Sequence, residues 1–364
     1  MSRILYVAYP LLPLTDGSAG GAEQMLLTLE GEIASRGYDT TVAACARSRV
    51  TGQLLATGDA SGEPDGYEAR EAEHNRRVLE HVTCRAQAGL PYDLVHDQSG
   101  SFWGQAGDVA APVLATLHLP RNFYRAELFA EPSANLFFNC VSVAQARTFA
   151  GLPRLMGVVQ NGIVAERFPF AAHKRDYLLW LGRICEEKGT DLAIRVAAQT
   201  GRRLILAGQV YPFSYHQSYF ERCVQPHLES NASRVTFIPS PTLPQKLELL
   251  RHAHALLVPS LCEETSSLVS LEAMACGTPV IAFNRGSVPE VIDDGVTGFI
   301  VEDINGAIGA VDRLGHLSRE KIRRRFEERF TARRMAQDYL SVYRSLSDNV
   351  APRLRLVTEG APAL

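Results

Sequence analysis

Short apolar runs alternate with helical patterns along the first half of the chain. The runs, rich in Val, Ile and Leu, are "RILYVAY", "DTTVAAC", "DLVHD", "PVLATLH" and "FNCVSV". An amphipathic stretch, "GAEQMLLTLEGEIASRG", separates the first two runs. Short strands that are buried on both faces and separated by helices are typical of parallel βαβ units. The pattern therefore predicts a doubly wound, Rossmann-like α/β domain over residues 1–165.

The same alternation begins again with the run "DYLLWLG". It continues through "GTDLAIRVAAQTG", "RRLILAG", a helix near residues 215–229, "RVTFI", "PQKLELLRHA", "HALLVPS" and "SSLVSLEAMACG". This series predicts a second Rossmann-like α/β domain over residues 166–330. We place the join within residues 161–176, where polar residues and a proline interrupt the apolar runs. Two such domains in series predict a ligand cleft between the carboxyl ends of their sheets.

Three segments do not follow this alternation. Residues 51–75 carry Gly, Asp, Glu and Ser without periodicity, so we expect an insertion or long loop there, with a helix near 71–88. We expect a helix over 331–345 to cross back to the first domain, and a partly disordered tail over 346–364. The basic stretch "KIRRRFEERFTARRM" is compatible with a peripheral membrane contact, although its interspersed glutamates favour a solvated helix.

The composition and net charge of the chain disfavour nucleic acid and membranes as binding partners. The chain has 364 residues, of which 46% are hydrophobic, and a formal net charge of −3, which gives no general attraction to nucleic acid or anionic membranes. No apolar stretch reaches the roughly 18 residues of a transmembrane helix. The start "MSRILYVAYPLLPL" has two prolines and no small-residue cleavage site, so we expect a buried strand rather than a signal peptide. The seven scattered cysteines, without a C-x-x-C pair, indicate reduced thiols in a cytoplasmic protein.

Two cations follow the first strand of the second domain. In "LWLGRICEEKG", Arg183 and Lys188 lie on the turn between a buried strand and a helix. At the carboxyl end of a strand, an arginine fork and a lysine point charge can hold a diphosphate. The alternative is that both are solvated loop charges, as most lysines and arginines are.

Two carboxylates accompany the predicted helix "SSLVSLEAMACG". Glu264 precedes it and Glu272 lies within it, while its first amides, at Ser267, Leu268 and Val269, form an anion-binding helix end. A buried carboxylate such as Glu272 needs hydrogen-bond donors. A sugar joined to a ribose through a diphosphate supplies hydroxyls at both ends and negative charge between them. The alternatives are a salt bridge or backbone amides at Glu272, and a plain helix-end charge at Glu264.

These motifs together resemble the retaining GT-B glycosyltransferases of family four, the glycosyl transferases group 1. Glu264 and Glu272 match the family's E-x7-E signature, and "GRICEEKG" resembles its G-R-x-x-x-x-K-G loop. Further similar pieces occur in the family's order across residues 1–345. They are "GSAGGAEQ", "TLHLP", "VVQNGIV", "LILAGQ" and "GTPVIAFNRGSVPEVIDDGVTGFIV".

The chain departs from the family pattern in two places. Ser266 and Ser267 stand where the family commonly has an aromatic residue and a glycine, and the side chain of Ser267 is expected to affect which sugar fits. The family pattern H-x-H or H-x-x-S-G is met only loosely by "HDQSG", which makes His96 and Asp97 weaker site candidates or structural residues.

For the second domain, the resemblance implies a donor site. Arg183 and Lys188 would hold the donor diphosphate and stabilise the departing charge. Glu264 would bind hydroxyls of the transferred sugar, and Glu272 would bind the nucleotide ribose. The loop "PSPTL", residues 239–243, would lie against the base.

For the first domain, the resemblance implies contacts near the reaction centre and the acceptor. Gly20 and Gly21 would let backbone amides approach a phosphate or the acceptor. His118 would contact the transferred sugar or the reaction centre, whereas an isolated histidine is more often structural. Closure of the two domains about Asn161 and Gly162 would exclude water.

The resemblance further implies a hexosyltransferase-type reaction with retention of anomeric configuration. The donor would be a UDP-sugar, with a GDP-sugar second, and the acceptor a hydroxyl of a glycan, lipid or small molecule. The chain has no D-x-D sequence to supply metal ligands, so we expect no metal and no other cofactor.

Three other functions were weighed against transfer. A dehydrogenase is disfavoured because "GSAGGA" is not a G-x-G-x-x-G fingerprint. A sugar-nucleotide epimerase or phosphorylase, and a non-catalytic nucleotide-sugar-binding protein, stay open as alternatives.

Overall fold

The computed structural model describes residues 3–15, 20–59, 66–230 and 233–355, with backbone only from residue 347. The chain forms two compact units. Unit 1 runs to Gly162 and takes up the chain again at Ala332, and unit 2 is Ile163–Thr331. The first unit thus ends three residues before the predicted boundary at 165.

Unit 1 is built on a seven-stranded parallel sheet in the order β3-β2-β1-β4-β5-β6-β7. Its central strands are buried throughout, because their Val, Leu, Ile and Ala residues are covered on both faces. The direction of winding reverses between β1 and β4, which is where open α/β sheets bind ligands. The strands are β1 Arg3–Val7, β2 Asp39–Ala44, β3 Gln53–Ala56, β4 Leu94–Asp97, β5 Val113–Leu117, β6 Leu136–Cys140 and β7 Leu155–Val158.

Within the described residues, three α-helices connect strands of this sheet. They are α1 Gly21–Ala34, α2 Tyr67–Gln87 and α3 Val143–Thr148. The predicted insertion over residues 51–75 is wrong in part, because it contains β3, which pairs with β2, and the first turns of α2. Most residues of β3 are exposed, so this edge strand carries no continuous apolar signal. Residues 60–65 of the predicted insertion lie outside the described residues.

Unit 2 contains a six-stranded parallel sheet in the order β10-β9-β8-β11-β12-β13. Its winding reverses between β8 and β11. The strands are β8 Leu178–Arg183, β9 Leu204–Gln209, β10 Val235–Pro239, β11 Ala255–Val258, β12 Val280–Phe283 and β13 Gly298–Val301. The helices are α4 Thr190–Thr200, α5 Ser214–Tyr219, α6 Gln225–Ser230, α7 Leu243–His252, α8 Leu268–Ala275, α9 Val288–Val291, α10 Ile304–Arg313 and α11 Arg319–Arg329, with a π-helical turn Phe220–Val224 joining α5 to α6.

The last helix, α12 Ala332–Arg355, belongs to unit 1. It continues past residue 345, where the sequence predicted its end, and residues 356–364 of the predicted disordered tail lie outside the described residues. Tyr343 on α12 is buried, and its hydroxyl lies 2.7 Å from His96 Nδ1 and 3.4 Å from Tyr6 hydroxyl oxygen. Buried hydrogen bonds therefore link α12 to β1 and β4, so this helix is packed onto unit 1 and is not a loosely attached tail.

The described residues also bear on membrane insertion and on disulfide bonding. No helix in this part of the chain combines the length and apolar character needed to span a bilayer. All seven cysteines are free thiols.

Candidate donor site in unit 2

The predicted donor residues of unit 2 follow neighbouring strands at the winding reversal. Arg183 ends β8, and Lys188 lies on the short 3-10 turn that follows it. Glu264 follows β11, the strand paired with β8. Because the carboxyl ends of parallel strands meet at one edge of the sheet, this topology brings Lys188 and Glu264 together.

Lys188 and Glu264 form a direct ion pair. Lys188 Nζ lies 2.6 Å from Glu264 Oε1, and the same oxygen accepts a hydrogen bond from Ser260 Oγ at 2.5 Å. Burial opposes the charge on Lys188, but the Glu264 carboxylate outweighs it and raises the pKa of the lysine. Lys188 is therefore a fixed cation, and it uses one of its three N–H donors on Glu264.

Two glycines with left-handed backbone allow the close packing around this pair. Gly189 has φ 61°, and a Cβ there would lie 2.2 Å from the carbonyl oxygen of Pro259. Gly286 has φ 55°, and a Cβ there would lie 2.3 Å from the carbonyl oxygen of Glu264. The amide of Ser287 donates to that same oxygen at 2.7 Å. Any larger residue would displace the backbone that positions Glu264.

Glu272 lies on α8, where its side chain is 3% exposed. Its Oε1 lies 2.5 Å from Lys246 Nζ, and its Oε2 is buried without a hydrogen-bond partner among the described residues. The salt bridge considered from the sequence is therefore present, but its cation is a lysine on α7. Lys246 was not predicted, because nothing in "PQKLELLRHA" marks a partner 26 residues away.

Arg183 has a different environment. Its guanidinium lies 3.8 Å from a carboxylate oxygen of Glu187, and Cζ lies 5.9 Å from the centre of the Tyr211 ring. The side chain is 42% exposed. Arg183 is thus open to solvent at the end of β8, and its described ion pair is with Glu187, four residues further along the chain.

The start of α8 differs from the expectation. The helix begins at Leu268, whose amide donates to the carbonyl oxygen of Ser266 at 2.9 Å, so this amide is not a free anion ligand. Ser267 makes no side-chain cap, since its hydroxyl lies 2.7 Å from Ser270 Oγ. Anion binding by the amides of Ser267 and Val269 stays a prediction.

The predicted base loop, residues 239–243, joins β10 to α7. Thr242 caps α7 in a capping box, in which Gln245 Oε1 accepts from the Thr242 amide at 2.9 Å. Ser240 has φ 47°, and its amide donates to the carbonyl oxygen of Gly208 at 2.9 Å. The loop is therefore fixed at both ends, and its contact with a base stays a prediction.

The candidates of unit 1 lie near the carboxyl ends of β1 and β5. His118 follows β5, and its Nε2 lies 3.1 Å from Gln98 Oε1. Burial lowers the pKa of His118 to about 4, so the imidazole is neutral at pH 7. A role of His118 at the transferred sugar would therefore use hydrogen bonding rather than charge.

Gly20 and Gly21 lie at the start of α1. Gly20 has φ −80°, an ordinary value, so the local backbone does not require glycine. The absence of a side chain at Gly20 instead leaves space for the Glu23 carboxylate, because a Cβ at position 20 would lie 1.9 Å from Glu23 Oε2. Burial raises the pKa of Glu23, which folds back over this turn. Phosphate or acceptor contact at Gly20 and Gly21 stays a prediction.

His96 and Asp97, the weaker candidates, are buried in unit 1. His96 bonds Tyr343 through Nδ1 and Thr116 through Nε2, both at 2.7 Å, and burial lowers its pKa to about 3. Asp97 accepts from the amides of Ser99 and Trp103 at 2.7 and 2.8 Å. Both side chains use their polar atoms on the protein itself, as structural residues do.

Part of the chain matches a known protein family. Residues 165–332, which hold every donor-site candidate of unit 2, match the family described as glycosyl transferases group 1. The matched region is 168 of the 364 residues. The chain is 26% identical over 350 residues to a D-inositol 3-phosphate glycosyltransferase of Mycolicibacterium paratuberculosis, covering 82% of this chain and 78% of that protein. It is 30% identical over 226 residues to a glycogen synthase of Mycobacterium tuberculosis, covering 56% and 53%.

Solved structures confirm the GT-B fold. A sucrose-phosphate synthase of Thermosynechococcus elongatus aligns with a TM-score of 0.75 at 20% identity, over 95% of this chain and 99% of that one. The Anabaena protein HepE, crystallised with UDP-glucose, aligns with a TM-score of 0.73 at 18% identity, over 95% and 100%. At these identities the likeness establishes the fold, and the substrates of this chain are a separate question.

Proposed function

We propose that this glycosyltransferase transfers a hexose from a UDP-sugar to an acceptor hydroxyl with retention of configuration, and that it needs no metal ion for transfer. A GDP-sugar is the second choice of donor. The neighbour HepE was crystallised with UDP-glucose, which supports a uridine nucleotide. The acceptor in this proposal is a hydroxyl of a glycan, lipid or small molecule.

The observation that carries the proposal is the buried, unpartnered oxygen of Glu272. Oε1 is paired with Lys246, whereas Oε2 has no hydrogen-bond partner among the described residues. Leaving a buried carboxylate oxygen unbonded costs about 1–3 kcal/mol or more. A ribose hydroxyl would donate to Oε2 and remove that cost, so ribose binding accounts for an atom that is otherwise unexplained.

The remaining donor residues supply the charge that a diphosphate needs. Lys188 donates one N–H to Glu264 and has two further N–H donors for phosphate oxygens. Arg183, at the end of β8 just before that turn, has a side chain that is 42% exposed and offers a planar fork. Glu264 Oε1 already accepts two hydrogen bonds, so its other oxygen would bind the sugar hydroxyl. Together these side chains would bind sugar, diphosphate and ribose in that order.

In the proposed reaction, the bond between the anomeric carbon and the phosphate oxygen breaks as the acceptor oxygen bonds to the same face. The acceptor proton passes to the departing phosphate oxygen, so no protein nucleophile is required. Negative charge grows on the diphosphate, where Lys188 and Arg183 would stabilise it more in the transition state than in the ground state.

Calorimetric titration of the chelator-treated protein with UDP, GDP, ADP and NAD tests the donor assignment. We expect UDP, or GDP as the second choice, to bind, and Glu272→Gln to weaken that binding at least about tenfold, since one charge-assisted hydrogen bond is worth about 1.5–3 kcal/mol. Glu248→Gln, an exposed change on α7, is the matched control and should bind as the wild type does. Binding of NAD alone would overturn the proposal, and unchanged affinity in Glu272→Gln would remove the ribose assignment.

Transfer assays test the remaining features. With a panel of UDP- and GDP-sugars and simple glycoside acceptors, proton NMR of the product reports whether the anomeric configuration is retained. Turnover should persist after chelator treatment, because the proposed diphosphate ligands are protein cations. An inverted product, or activity that returns only with Mg²⁺, would contradict those two features separately.

A further inference from the structure

A second group of polar side chains in unit 2 has no role in the proposed transfer. It centres on His216 of α5, whose side chain is fully buried. Neither ring nitrogen of His216 has a hydrogen-bond partner among the described residues. Its described ring neighbours are Tyr211, Phe213 and Tyr215, with centroids 6.1, 5.4 and 4.2 Å away. Unpaired buried polar groups are rare in folded proteins, and an unseen ion is one of their ordinary explanations.

Two metal-ligating side chains face His216 from the turn after β8. Cys185 Sγ, a carboxylate oxygen of Glu187 and one ring nitrogen of His216 all lie within 4.8 Å of one another. Cys185 is a buried free thiol, and Glu187 is 36% exposed at its side chain. The three ligand atoms come from two separate elements, the 3-10 turn Glu186–Lys188 with its preceding residue and α5.

We propose that Cys185, Glu187 and His216 form a binding site for a divalent transition-metal ion of the zinc type. Thiolate, imidazole and carboxylate are the ligands that Zn²⁺ takes in proteins, whereas Mg²⁺ and Ca²⁺ prefer oxygen alone. Ligand atoms around a tetrahedral zinc ion lie about 3.5 Å apart, so the atoms here, which lie within 4.8 Å of one another, need to approach by at most about 1.3 Å. Rotation of the half-exposed Glu187 side chain supplies that approach and the route of entry.

Binding has defined chemical consequences. The thiol of Cys185 loses its proton when it ligates the ion, so metal uptake releases one proton. Three protein ligands leave the fourth tetrahedral position to water. The ion would take the carboxylate of Glu187 away from Arg183, with which it now pairs at 3.8 Å, and would tie the turn to α5. The ion is not a ligand of the donor diphosphate in this proposal.

Cobalt titration of the chelator-treated full-length chain tests this site without any sugar nucleotide. We expect one equivalent of Co²⁺ to bind, with a thiolate-to-cobalt charge-transfer band in the near ultraviolet, and stoichiometric Zn²⁺ to displace it. Cys185→Ser should abolish the charge-transfer band. His216→Gln should weaken binding at least about tenfold, because even the loss of an outer-shell partner typically costs 10–100-fold.

Matched variants keep the test decisive. Cys223→Ser and His316→Gln change a cysteine and an exposed histidine outside the cluster, and both should bind Co²⁺ as the wild type does. Glu187→Gln alters only a half-exposed side chain, so it should weaken binding without unfolding the protein even where a core variant fails to fold. Circular dichroism of every variant checks its fold.

Three results would overturn the proposal. The first is the absence of a charge-transfer band in the wild type. The second is a band or an affinity for Co²⁺ that is unchanged in Cys185→Ser, and the third is an affinity that is unchanged in both His216→Gln and Glu187→Gln, since the ion would then be held elsewhere. Because no nucleotide enters the titration, these results leave the proposed transferase function untouched.

Discussion

Lys246→Met should destabilise unit 2 strongly, because it leaves Glu272 as a buried carboxylate without its cation. The Glu272 side chain is 3% exposed and the Lys246 side chain 19% exposed, and their charged atoms lie 2.5 Å apart. Removing one partner of a buried ion pair costs about 3–5 kcal/mol. Since water reaches part of Lys246, we expect the lower end, about 3 kcal/mol. For a unit of this size, that corresponds to a fall of about 6–12 °C in the melting temperature.

Two matched variants separate burial from charge. Arg175→Ala breaks an exposed ion pair to Glu248 in the same unit, with side chains 64% and 45% exposed, and should cost less than about 1 kcal/mol. The double variant Lys246→Met and Glu272→Met removes both buried charges, and should return near wild-type stability, because apolar replacement of a buried pair is often neutral. The double variant should nevertheless bind UDP at least about tenfold more weakly than the wild type, because it lacks the Glu272 carboxylate.

Differential scanning calorimetry of the four proteins, without ligand, measures these melting temperatures, and calorimetric titration with UDP measures binding. The reasoning fails if Lys246→Met melts within the range of Arg175→Ala, since the pair would then contribute no more than a surface contact. It also fails if the double variant binds UDP normally, because Glu272 would then have no part in the nucleotide site.

Three further outcomes follow from the structure. Arg183→Ala and Lys188→Ala should each lower kcat for transfer by at least about a hundredfold while circular dichroism is unchanged, because each removes charge stabilisation from the departing diphosphate; near-normal turnover in either would refute its assignment. Glu264→Gln should impair use of the UDP-sugar but leave affinity for free UDP within about twofold of wild type, and an equal loss for both would undo that division. Stability should fall as pH drops from about 6.5 to about 4. In that range the unfolded chain binds protons at His96 and His118, whereas burial lowers the pKa of these histidines in the folded state to about 3 and about 4. In melting temperatures measured across that range, His118→Gln should flatten the dependence on pH, and an unchanged slope would contradict the burial of a neutral imidazole.

The parallel sheets were predictable because their inner strands must be apolar on both faces. Strands such as β1, β5 and β8 can therefore be recognised in the sequence as continuous apolar runs. The pattern did not predict β3, β7, β12 and β13. Of these, β3, β7 and β13 lie at sheet edges, whereas β12 is an inner strand. An edge strand buries less of its surface, so its residues are under weaker compositional constraint, and its existence depends on a partner strand that a local pattern does not contain.

The donor site was predictable only where chemistry and motif spacing coincide. Glu264 and Glu272 stood out because carboxylates are unusual next to a buried helix. Their cations were recognised unequally. Lys188 lies in a motif, whereas Lys246 meets Glu272 only through the packing of α7 on α8. Such a contact between residues distant in sequence is a tertiary property, and one sequence cannot reveal it.

The position of Lys246 connects the predicted base loop to Glu272, the carboxylate that we propose binds the ribose. The capping box of Thr242 and Gln245 fixes where α7 begins, and Lys246 follows directly in its first turn. The loop 239–243 ends at that same cap. A change that shifts the cap therefore moves the loop and the lysine together, and it alters the position of Glu272 through their ion pair. If base and ribose bind as proposed, their recognition is set by one helix start, and substitutions in the loop should change affinity for the ribose as well as preference for the base.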